Sequence, residues 1–190
     1  MRIMKGDLKG RAIAVPPGEI RPIMDKMRES LFSILGDLHG KAFLDLFAGS
    51  AVVGLEAYSR GAYPVTCVEK DRGKRSVLVQ NLAGLDPPVR LQMEPVERFV
   101  VKNTRKWDII YLDPPFPYRF RRDLLTKLSR SRGMDPETLV VIHVPSSDPL
   151  PDRIANLEVT DRRTFGGSLL YFLRFRSAGT DTPGFDTIEG

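Results

Sequence analysis

Met24, Met27, Leu31 and Ile34 recur at spacings of three and four, which predicts one buried face of an amphipathic helix over RPIMDKMRESLFSILG, punctuated by Pro22 and Gly36. Ahead of it, the alternating runs MRIMK and RAIAVP flank GDLKG and predict a small β-hairpin. After Gly40 the rhythm changes. Short apolar runs (KAFLDLF, PVTCVEK, VRLQM, WDIIYLD, TLVVIHV) alternate with helical segments (VVGLEAYSRG, DRGKRSVLVQNLAGL, PVERFVVKNT, FRRDLLTKLSRSRG). Near-continuous apolar strands between helices are those of a sheet covered on both faces. Two further strand-like runs, NLEVTDRRTF and SLLYFLRF, meet at Gly166 and Gly167, a hairpin signal. The pattern predicts an α/β, doubly wound, seven-stranded and mostly parallel sheet with a C-terminal antiparallel hairpin. Residues 1–40 are expected to form a hairpin-and-helix extension, 41–176 the main domain, and 177–190, which lack aliphatic periodicity, a flexible tail.

Composition changes this picture in one respect. Hydrophobic content of 42% and charged content of 28% are ordinary for a globular protein, but the net charge of +5 and pI near 9.5 raise the odds of a polyanionic partner. The single cysteine excludes an intrachain disulfide, and Cys67 in PVTCVEK reads as a small core hydrophobe. MRIMKGDLKG has no apolar run of signal-peptide length and no later stretch suits a bilayer, so the expected location is the cytoplasm. G-x-S-x-G is absent, GDLHGK falls short of a P-loop, and His39 and His143 show no metal-ligand spacing.

In open α/β sheets, ligands sit beyond the carboxyl ends of the strands, near the point where strand order reverses. AFLDLF runs directly into AGSAVVG, where small residues admit a close ligand and a helix N-terminus offers free N–H groups. The next strand ends on Glu69, twenty positions after Gly49, where an acid can accept both hydroxyls of a ribose. A dinucleotide loop would have glycine at Ala51. Asp45, inside the strand, would repel a pyrophosphate but pair with an ammonium. S-adenosylmethionine has both an ammonium and a ribose diol.

The fourth strand ends at Asp113-Pro114-Pro115-Phe116. Proline cannot extend the strand, so the turn is stiff, and a fixed carboxylate beside a fixed carbonyl can accept both hydrogens of an exocyclic NH2. Held in this way, the amine's lone pair is aimed at the sulfonium methyl, and Asp113 opposes the positive charge that develops on nitrogen. Phe116 offers a π face to an unstacked base. The sulfonium is already an activated electrophile, so this chemistry calls for no metal. Arg119, Arg121 and Arg122 at the pocket mouth are candidates for phosphate contacts, with Lys5, Lys9, Arg11 and Arg21 extending the footprint. A solvated basic helix face is the plain alternative.

These residues carry a resemblance. MRIMKGDLKGR, RPIMDKMRESLF, DLFAGSAVVGLEAYSRGA, VEKDR with Asn81 following, DIIYLDPPF and FGGSLLYFLRF resemble, in register, the bacterial 16S rRNA (guanine-N2)-methyltransferases, a branch of the class I S-adenosylmethionine-dependent enzymes. The resemblance implies N2 methylation of one guanine in 16S rRNA, within the small ribosomal subunit or an assembly intermediate, by a monomer. It implies cofactor contacts from Asp45, Phe47, Gly49, Ser50, Ala51, Gly54, Glu69 and Lys70, with Glu94 near the adenine, and catalytic roles for Asp113, Pro114, Pro115 and Phe116. Ala51 stands where the family usually has glycine and His143 where an acid is frequent; Ala51 is expected to weaken cofactor binding sterically. Two other readings are an N6-adenine or other nucleic-acid amino methyltransferase, and a non-catalytic RNA-binding relative with a decayed pocket.

Overall fold

The computed structural model describes residues 1–16 and 25–176. Arg21, Pro22, Met24 and the tail expected over 177–190 lie outside these residues. The chain orders its elements as α1 (Asp25–Leu35), β1 (Phe43–Leu46), α2 (Val52–Ser59), β2 (Val65–Val68), α3 (Arg75–Leu82), β3 (Arg90–Gln92), α4 (Val96–Lys102), β4 (Ile109–Leu112), α5 (Arg121–Ser129), β5 (Leu139–Pro145), β6 (Arg153–Ile154), β7 (Leu157–Phe165) and β8 (Ser168–Phe175). One sheet runs β3-β2-β1-β4-β5-β8-β7-β6. The pairs among β1 to β5 are parallel, and β8, β7 and β6 follow antiparallel. Strand order reverses between β1 and β4, so the crevice at their carboxyl ends is where such a sheet binds ligands.

The sheet has eight strands, not seven. The extra one, Arg153–Ile154, pairs with Glu158 and Leu157 and is too short to leave a periodic signal. The N-terminal hairpin reduces to a single bridge, Arg2 with Ala12, supported by backbone bonds such as Gly10 N–H to the Ile3 carbonyl at 2.8 Å. In α1 the buried face is Met27, Arg28, Leu31, Phe32 and Leu35, whereas Ile34 is 39% exposed. Leu35 continues the four-residue line from Met27 and Leu31, and Ile34 lies about 100° away around the helix.

Alternating residues feed two cores. Phe43, Val65, Cys67, Ile109 and Tyr111 pack with Met27, Leu31 and Phe32 of α1 and Leu55 of α2. Leu44, Leu46, Val68, Ile110 and Leu112 pack with Phe99 and Val100 of α4 and Leu124, Leu125 and Leu128 of α5. Ile3 and Ile13 belong to the first of these cores.

The N-terminal stretch is also stitched to α2 by polar groups. Glu56, fully buried, accepts the Met4 and Lys5 amides at 2.9 and 3.1 Å and pairs with Arg60 at 2.8 Å. Arg28, also fully buried, donates to the Arg2 carbonyl at 2.7 Å and lies 3.8 Å from Glu56. Ser59 Oγ accepts the Leu8 amide at 2.8 Å and donates to the Lys5 carbonyl at 2.6 Å. Gly6 fits against this turn only because it lacks a Cβ, which would stand 1.6 Å from the Ser59 carbonyl oxygen.

Candidate active site

Asp45 in β1 is registered between Cys67 of β2 and Tyr111 of β4, and its carboxyl group is almost fully buried. The Gly54 amide donates to its Oδ2 at 2.9 Å. Glycine is required there for space. A Cβ at residue 54 would stand 2.6 Å from Cys67 Sγ and 3.2 Å from Asp45 Oδ2, so only glycine lets the first turn of α2 press onto the strands. Between β1 and α2 the loop is bent through two left-handed non-glycine residues, Phe47 at φ 64° and Ala51 at φ 62°. Such conformations cost energy and concentrate where a loop shape is functionally required. Asn81 of α3 holds the loop by donating to the Ser50 carbonyl at 3.0 Å, and it exchanges two bonds with the Ala14 backbone.

Glu69 follows β2. Its Oε2 accepts the Gly49 amide at 3.0 Å, its Oε1 accepts the Asp71 amide at 2.9 Å, and Lys74 lies 3.6 Å away. Each carboxylate oxygen retains a lone pair, so this fixed acid can still receive a diol.

Asp113 follows β4 and opens the turn. The turn is clamped from behind: the Tyr118 amide donates to the Pro115 carbonyl at 2.8 Å, and Arg121 donates to the Phe116 carbonyl at 2.6 Å. Arg121 also pairs with Asp148 at 2.6 Å and is only 3% exposed. Its guanidinium therefore shapes the turn and cannot meet a phosphate, which corrects the expectation from sequence. His143 from β5 meets Asp113 at 2.8 Å, Nδ1 to Oδ1, and its ring stands edge-to-face on Phe116 with centroids 5.6 Å apart.

These elements enclose a cavity of about 550 Å³, within the range of small-molecule sites. It brings together Asp45, Phe47, Gly49, Ser50, Glu69, Lys70, Asp113, Pro114, Pro115 and Phe116, as the sequence predicts, and adds Lys74, Tyr111 and His143. Three predicted residues stand off its wall. Ala51 is fully buried in the apolar core and does not line the cavity. Gly54 lies behind Asp45, and Glu94 pairs with Lys102 at 2.7 Å. Of the basic residues, Lys5, Lys9, Arg119 and Arg122 are exposed, while Arg11 donates to the carbonyls of Asn81 and Ala83.

Burial raises the Asp45 pKa to about 8, opposed by the Gly54 amide and reinforced by the charges of Asp113 and Glu69. The Tyr111 hydroxyl is buried at the cavity floor beside Asp113. Burial pushes its pKa well above the usual value, and the nearby Asp113 and Asp45 add to the rise. Three carboxyl groups converging on one cavity disfavour a pyrophosphate and favour a cation. S-adenosylmethionine fits that donor set, with its ammonium and sulfonium charges and its ribose diol.

Parallel sheet, reversal-point cavity, acidic floor and stiff acidic turn together define a class I S-adenosylmethionine-dependent methyltransferase. The family model described as "Conserved hypothetical protein 95" matches residues 1–174, and the chain belongs to that family. It is 33% identical to "Ribosomal RNA small subunit methyltransferase D" of Escherichia coli over 94% of this chain and 91% of that protein. The solved Escherichia coli structure of yhhF superposes with a TM-score of 0.82 at 28% identity, covering 93% of this chain and 98% of that one. A more distant protein solved in complex with SAH shares the fold alone, with a TM-score of 0.61 and 15% identity over 78% of this chain and 48% of that one.

Proposed function

We propose that this protein methylates the exocyclic N2 of a guanine in small-subunit (16S) ribosomal RNA, working in the cytoplasm as a monomer on the small subunit or an assembly intermediate. The observation that carries the reading is the Asp113–Phe116 turn, clamped by Arg121 and opening into an acidic cavity.

Bound S-adenosylmethionine supplies an activated methyl group. Asp45 pairs with its ammonium, Glu69 takes the ribose hydroxyls, and Phe47, Gly49, Ser50 and Lys70 complete the walls. Asp113 and the Pro114 carbonyl accept the two hydrogens of the guanine amine, which fixes the nitrogen's direction and localises its lone pair. Asp113 then takes the proton that nitrogen sheds on alkylation. Phe116 stacks on the extruded base.

Outside the cavity, Arg119, Arg122, Lys5 and Lys9 present exposed positive charge to phosphates. Phe120 is 65% exposed, and its ring lies 5.9 Å from that of Tyr118, which stands 5.2 Å from Phe47. This line of rings leads from the cavity to a surface where a flanking base can stack.

The test is transfer of a labelled methyl group to small subunits from a strain deleted for the modification, with nuclease digestion of the product and naked 16S rRNA as a parallel substrate. N2-methylguanosine at one position is expected, with Asp113→Ala abolishing transfer while cofactor binding persists. N6-methyladenosine in the digest would install the adenine reading. Absence of cofactor binding in calorimetry would leave an RNA-binding protein without catalysis.

A further inference from the structure

Asp113 and His143 stand side by side because of sheet register. β4 and β5 pair Leu112 with Ile142, and each of the two residues follows one step later on its strand. The 2.8 Å contact joins a carboxylate oxygen to a ring nitrogen, two atoms that would repel through their lone pairs unless a proton lay between them. With Asp113 ionised, that proton belongs to Nδ1, and the imidazole donates. The other nitrogen, Nε2, is buried and has no hydrogen-bond partner among the described residues. The His143 side chain is 7% exposed and that of Asp113 23%, so the pair lies at the cavity wall with the carboxylate toward the opening. The same ring braces Phe116 edge-to-face. One imidazole thus touches both ends of the turn.

We propose that His143 is a positioning residue for methyl transfer, an inference that rests on the reading above and names how its acceptor is aimed. Nδ1–H holds Asp113 Oδ1, which turns Oδ2 toward the guanine amine. The ring edge sets the plane of Phe116, against which the base stacks. Removing the donor frees the carboxylate to rotate, and misplacement of a reacting group by about 1 Å costs up to about a hundredfold in rate.

Three substitutions separate this role from simple packing. His143→Leu fills the volume without a donor. His143→Gln carries its amide where Nε2 stands, and His143→Asn places an amide N–H where Nδ1–H stands. Methyl transfer to small subunits is measured for each, with cofactor KM, kcat and melting temperature, beside wild type and Asp113→Ala. The expected result is a kcat at least about tenfold lower in the Leu and Gln variants, cofactor KM within about threefold of wild type, and kcat restored to within about threefold by Asn. Wild-type kcat in His143→Leu, or an equal loss in all three, overturns the proposal while an inactive Asp113→Ala keeps the methyltransferase reading intact. Absence of transfer by the wild-type protein overturns both.

Discussion

The Gly54 amide donates to Asp45 Oδ2 across 2.9 Å, yet the carboxyl group keeps its proton up to about pH 8. One neutral donor does not offset complete burial together with the charges of Asp113 and Glu69. Between the ordinary value of 3.8 and about 8, the folded chain therefore holds a proton that the unfolded chain has released. Stability of the ligand-free protein from this group falls as pH rises across that window. Asp45→Asn removes the dependence, so the melting temperature of the variant relative to wild type should climb from pH 5 to pH 8. Pairing with an ammonium favours the carboxylate, so cofactor binding at pH 7 should expel close to one proton. Calorimetry in buffers of different ionisation enthalpy reads that proton directly, and Asp45→Asn should release none and bind more weakly.

Arg121 and Arg122 are neighbours with opposite fates, one buried against the turn and one exposed. Arg122→Ala should weaken RNA binding without regard to sequence and reduce the slope of log K against log salt by about 0.7–0.9, with kcat at saturating RNA preserved. Arg121→Ala should leave that slope unchanged. It should lower kcat by about tenfold or more and cost roughly 1–3 kcal/mol of stability by removing the charged donor that holds the part-buried Phe116 carbonyl. Filter binding across a salt series, with single-turnover rates, distinguishes the two.

Ala51 pays for its left-handed backbone. That conformation costs an ordinary residue about 1–2 kcal/mol, which glycine would recover. Against this, Ala51→Gly gives up a buried methyl of about 0.8 kcal/mol and adds about 0.5–1 kcal/mol of unfolded-chain entropy. These contributions nearly cancel. The variant should melt within about 3 °C of wild type and bind cofactor within about threefold, because the methyl points into the core. Calorimetry showing a gain of tenfold or more would place that methyl in the cofactor's way after all.

The parallel core was legible because buried strands and covering helices write different periods into the chain, and the turn because Asp-Pro-Pro-Phe admits few backbone shapes. Asp45, Glu69 and Asp113 could be placed together from one rule about the carboxyl ends of strands. What stayed hidden depends on lateral order. His143 meets Asp113 only because β5 lies beside β4 in a given register, and nothing local to VVIHV announces that neighbour. Arg121 read as a surface cation because its partner Asp148 is 27 positions away. Small residues such as Ala51 and Gly54 serve a close helix and a close ligand equally well, so their type alone does not separate the two. Glu94 lies just before α4, and its pairing with Lys102 at the far end of that helix spans eight positions that no local motif links.

The first sixteen residues are no detachable preface. A protein begun at Lys41 would lose Ile3 and Ile13, and with α1 also Met27, Leu31 and Phe32, from the core that Leu55 of α2 shares on that face of the sheet. It would also leave Glu56 facing Arg60 without the buried Arg28 and the two amides that now share its charge. Asn81 would drop its grip on Ala14, the anchor from which it steadies Ser50. A deletion made at the outer surface would in this way be felt at the donor's bedside, three links inward.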